Sequence, residues 1–93
     1  MKKHKAVNKI TCKRHFDDFN SKLTFEAYDK HGCRVETFDH YYKWHDEDDL
    51  CVKMQEKIEI SSAEFSKMWE NVQNLWLLII KAKKPVVVFS KEK

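Results

Sequence analysis

Residues 60–85 read ISSAEFSKMWENVQNLWLLIIKAKKP, and their spacing governs the architecture expected of the whole chain. Ser61-Ser62-Ala63-Glu64 fits a capping box: a Ser hydroxyl accepts from the third helical amide and Glu64 reaches back. Ile60 before the cap and Phe65 within the first turns suit a hydrophobic staple. Phe65, Met68, Trp69, Val72, Leu75, Trp76, Ile79 and Ile80 then recur at helical spacing. Lys81, Lys83 and Lys84 stand where the helix dipole favours cations, and Pro85 disfavours helical geometry at the residue before it. The pattern predicts one long amphipathic helix ending before Pro85.

Its surroundings read as strands. Val86-Val87-Val88-Phe89 is short, uncharged and high in β-propensity, a strand that needs a partner in its own sheet or in another chain. Upstream, Leu50, Val52 and Met54 alternate and Ile58 and Ile60 follow, so 50–60 is expected to be a strand interrupted at Glu56. Ile10, Cys12 and Phe16 alternate with Thr11, Lys13 and His15, with Arg14 breaking the apolar face, as in an edge strand. Asp17 to Ser21 is read as a turn. Leu23, Phe25 and Ala27 lead into Asp29-Lys30-His31-Gly32, after which Cys33, Val35 and Thr37 resume the alternation. Asp opening and Gly closing a four-residue connection mark a β-hairpin. Past Thr37 the rings fall out of parity, which suggests a bulge near 38–41.

The expected fold is therefore α+β: a small antiparallel sheet of four to five strands with one long helix packed on one face, in the order β-β-β-β-α-β. The 93 residues form a single domain, 1–93, with 1–8 as a flexible basic arm. One glycine and one proline are too few for a many-turned β-sandwich, and Gly32 alone makes no phosphate loop. The longest apolar run, Leu75 to Ile80, is too short to span a bilayer, so no membrane contact is expected. Three cysteines without a CxxC, behind a charged N-terminus with no apolar run, point to a cytoplasmic protein with reduced thiols.

No constellation points to catalysis. Ser61 and Ser62 serve the cap, no strand-to-helix elbow accompanies the Cys and His residues, and a domain this small rarely builds a deep cleft. The reading is not an enzyme, with no cofactor. Cys12, His15, Cys33, His40, His45 and Cys51 are potential metal donors, but none has zinc-site spacing, so no metal is expected. Cys12 and Cys33 are expected to act as small core residues.

Three features favour binding instead. Phe38 to Trp44 packs Phe38, His40, Tyr41, Tyr42 and Trp44 into seven residues, a hot-spot surface if exposed. Asp46, Glu47, Asp48 and Asp49 follow as an acidic loop, too irregular for a calcium loop but able to meet a basic partner. At about 100° per residue, Leu77 and Leu78 fall off the main helix stripe. Tyr41, Tyr42, Trp44 and Asp46 to Asp49 are thus the expected contact surface for another protein, with Leu77 and Leu78 for self-association in a homodimer. The function expected is a small regulator or inhibitor, of a composition common among virus- or mobile-element-encoded modulators. The competing reading is nucleic-acid binding. Lys2, Lys3, Lys5, Lys9, Lys13 and Arg14 fall within residues 1–15, which hold no acid, whereas residues 16–49 carry ten acids against four bases. Salt dependence separates the two.

Overall fold

The computed structural model describes residues 5–16, 21–41 and 46–91. The predicted turn at Asp17 to Asn20 lies outside them. Three strands come first: β1 (Lys9–Phe16), β2 (Ser21–Tyr28) and β3 (Arg34–His40). Three helices follow, α1 (Glu47–Lys57), α2 (Ser62–Asn74) and α3 (Trp76–Lys81), and then β4 (Val86–Ser90). The order is β-β-β-α-α-α-β, and the sheet is antiparallel throughout with strand order β3-β2-β1-β4.

The β2–β3 hairpin forms as its turn residues dictate. Gly32 takes φ +82, a left-handed conformation that glycine adopts without steric cost. Asp29 locks the turn, its Oδ1 accepting from the His31 and Cys33 amides at 2.9 Å each. These bonds, that from Cys33 foremost, hold its carboxyl below the usual range. Cys33 itself is exposed in this turn, not a core residue as expected. The anticipated bulge near 38–41 is absent: pairing is regular from Leu23↔His40 to Ala27↔Glu36, and the register shifts between Ala27 and Tyr28. Phe38 and His40 consequently share the inner face, both buried.

Two expectations about the helices change. Residues 50–60 are not a strand. Asp46 caps α1, its Oδ1 accepting from the Asp49 amide at 3.1 Å while the Asp49 carboxylate accepts from the Asp46 amide at 3.4 Å. The acidic run is thus a helix start, favoured also by the dipole. Leu50 and Met54 are buried one turn apart, with Ile58 buried at the cap, while Val52, on the opposite side, is 54% exposed. Alternation over so short a stretch fitted both periods, and the cap decided for the helix.

The long helix is also divided. Its Ser61–Glu64 capping box forms as read. At Leu75, however, φ −102 and ψ 15 interrupt the helix, and the Leu75 amide is shared between the Asn71 and Gln73 carbonyls. The interruption leaves α2 against β4 and α3 against β1. Phe65, Met68, Val72 and Ile79 are buried over Ile10, Cys12, Leu23, Phe25 and Ala27. The Val86–Phe89 segment pairs with β1 in its own sheet, at an edge.

Lys5 to Asn8, expected within a flexible arm, are tied down. The Lys5 amide donates to Lys57 O and its carbonyl accepts from Glu59, bridging to Ile58. Val7 is buried, and Asn8 donates to Tyr28 O.

Candidate functional site

The helix layer leaves a groove of about 420 Å³ between α2, α3 and the inner face of β2. Buried Leu23 and Val72 floor it, half-buried Trp69 and Trp76 form its walls, and Gln73 stands at its rim. Trp69 and Trp76 are seven residues apart, two helical turns, with Gln73 between them. Trp69 is fixed by rings on three sides. It stacks on Phe65 at 6.3 Å and 11°, tilts against Phe25 at 6.4 Å, and meets His40 edge-on at 5.6 Å. A Trp wall so held loses little freedom on binding, which favours an anchor site.

Trp69 and Gln73 also line a second, shallower groove of about 580 Å³ with Glu47, Ala63, Ser66, Lys67 and Glu70. The apolar groove therefore opens onto the acidic start of α1. All four acids, Asp46 to Asp49, are exposed. Their field reaches inward: burial first, then the charges of Asp48 and Glu47, push the Cys51 thiol up.

The residues singled out in the sequence are distributed as follows. Asp46 and Asp49 cap α1, and Glu47 lines the shallower groove. Tyr41 is half-buried at the end of β3, with Lys22 Nζ 5.7 Å over its ring. Tyr42 and Trp44 lie outside the described residues, as do Lys2 and Lys3. Leu77 and Leu78 are 69% and 55% exposed, so neither is covered by β4. They do not share a direction. Leu77 stands one turn beyond Gln73, on the groove side, whereas Leu78 is about a third of a turn away, nearer the side of Asn71.

The basic residues are engaged. Lys5 Nζ reaches Val35 O at 3.0 Å and Glu36 Oε2 at 3.2 Å, holding the Glu36 carboxyl below its ordinary range. Lys13 Nζ donates to Lys83 O at 2.7 Å. Lys9 lies 5.0 Å over the Tyr28 ring, and Arg14 lies 4.5 Å over Phe16 while donating to Ser21 Oγ at 3.3 Å. Lys9 and Lys13 share the sheet face turned away from the helices.

Among the described residues no three metal-donor side chains converge. Cys12 is fully buried, and burial pushes its thiol up to about 12. No helix among them is long and apolar enough to cross a membrane.

The groove was not anticipated. Trp69 and Trp76 read as part of the core stripe, whereas they sit on its flank. The available signal was the i, i+7 pair flanking a polar Gln73. No family model, curated protein or solved structure matches this chain.

Proposed function

We propose that this chain is a non-enzymatic binding module acting through protein–protein contact, as a regulator or inhibitor of its partner, with the α2–α3 face as the contact surface. One observation carries the reading: two half-buried Trp side chains frame an apolar groove beside an exposed Leu77. Small proteins rarely leave such a patch open without using it, and Trp is among the residues that most often anchor interfaces. The acidic start of α1 at one end, Asp46 to Asp49, favours a partner bearing basic residues beside its apolar anchor. The composition suits a virus- or mobile-element-encoded modulator. The test is a photo-crosslinking benzoylphenylalanine in place of Gln73, compared with the same probe in place of Thr37 on the outer sheet face, in cells making the protein. The expected result is a protein adduct from position 73 and none from 37. Equal yields, or none at 73, overturn the reading.

The competing reading, nucleic-acid contact, draws on Lys9 and Lys13 on the outer sheet face, with Thr11 between them. It predicts affinity for a single-stranded oligonucleotide that falls steeply with salt and weakens on Lys9→Ala and Lys13→Ala. A groove-centred interface is less sensitive to salt and does not respond to either substitution.

A further inference from the structure

We infer that the occupant of the Trp groove is a second copy of this chain, docked antiparallel along α2–α3 about a two-fold axis near Leu75. The inference rests on the protein-binding reading above. Its first support is that each chain carries both halves of the contact: an exposed apolar knob, Leu77, and one turn away an apolar groove walled by Trp69 and Trp76. A two-fold axis uses the same patch twice, so knob and groove on one surface satisfy each other reciprocally.

The second support is charge. Glu70, in a loose, exposed ion pair with Lys67 at 3.9 Å, stands at the N-terminal end of this face, and Lys81 ends α3. They are eleven residues apart, on opposite sides of the break at Leu75. Placing Leu77 over Gln73 of the second copy sets the register, and in that register Glu70 falls opposite Lys81 of the second copy, and Lys81 opposite its Glu70. A parallel arrangement sets acid against acid and base against base. The helix break at Leu75 lies at the centre of the antiparallel crossing.

The third support is that each edge strand of the sheet has a carbonyl engaged from within the chain. Asn71 Nδ2 occupies the Val88 carbonyl of β4 at 2.8 Å, and Lys5 Nζ occupies the Val35 carbonyl of β3. Side chains on edge carbonyls disfavour strand-to-strand pairing relative to contact through the helix face. An interface of standard size takes about 800 Å² from each partner. That is roughly an eighth of this chain's 6499 Å² surface.

Sedimentation equilibrium on the full chain tests this. The unsubstituted protein is expected to be a dimer, and Leu77→Glu to weaken it by at least about a hundredfold, since each copy loses its knob. Leu78→Glu is expected to leave it intact. Glu70→Lys and Lys81→Glu are each expected to weaken it about five-fold, and the E70K/K81E double variant to restore it. Restoration is a readout that loss of folding cannot mimic. A dimer indifferent to Leu77→Glu, or a double variant as weak as the two single losses combined, overturns the inference. A monomer that cross-links through position 73 to a different protein overturns the second copy and keeps the binding reading. A monomer with no adduct at 73 overturns both.

Discussion

The two flanks of the α2–α3 helix meet their surroundings in opposite ways. On the β4 side contact is directional and polar: Asn71 donates to the Val88 carbonyl, and Lys91 Nζ lies 3.8 Å from Glu64 Oε2. On the other side it is a matter of shape, with Trp69 and Trp76 walling a groove over Leu23. Backbone carbonyls at a sheet edge need partners, and the β4 flank supplies one. The Trp flank is where the fold leaves apolar surface open.

Both flanks rest on one floor, and the largest expected effect is there. Cys12, fully buried in β1 with its thiol pushed up to about 12, should alkylate at least about a hundredfold more slowly at pH 8 than exposed Cys33, since reagent reaches it only when the chain opens. Mass-mapped iodoacetamide labelling measures it, and comparable rates would show the floor open from one flank. The same shift carries a sign. The folded thiol keeps its proton where the unfolded one has lost it, so stability is full below the unfolded value of 9.0 and declines as pH rises toward about 12. Urea titrations of the unsubstituted chain against Cys12→Ala isolate this slope from that of the lysines and tyrosines.

Next comes the Trp flank. Trp69→Ala removes contacts with Phe25, Phe65 and His40, and should cost about 3 kcal/mol in urea denaturation. A loss below about 1 kcal/mol would make Trp69 a binding residue alone. Asn71→Ala strands the carbonyl of buried Val88 and should cost about 1–2 kcal/mol, with faster aggregation as the β4 edge opens. Gln73→Ala, its counterpart at the groove rim, should stay within about 0.5 kcal/mol. Smallest is Lys91→Ala. Its ion pair with Glu64 is 40% and 35% exposed and is worth a few tenths of a kcal/mol.

The same two elements show what was legible from sequence. Ser61 and Glu64 announced α2 because the cap preceded eight apolar residues at one period. Asp46 and Asp49 build an equivalent cap, yet four consecutive acids looked like a solvated loop and the apolar positions after them are few. Leu50, Val52 and Met54 alternate by coincidence; only Leu50 and Met54 are buried. Replacing the cap, Asp46→Ala, should cost about 1 kcal/mol and be read by thermal unfolding. The β2–β3 hairpin was legible since Asp29 and Gly32 act locally. The division at Leu75 was not, because neither proline nor glycine marks it. Leu77 and Leu78 stood out as surplus apolar surface, but which of them faces the groove depends on how the helix is set on the sheet.

The pairing of β1 with β4 has a consequence for the chain as it is made. Lys9 pairs with Ser90, so central β1 and its edge partner β4 are separated by 81 residues of synthesis. At about 5–20 residues per second, β1 waits several seconds for its second neighbour. Through that interval Ile10 to Cys12 present an unpaired backbone edge, and the sheet closes only after all three helices have emerged from the ribosome. A late-closing sheet of this kind makes the nascent protein, more than the finished one, the form that a chaperone has reason to hold.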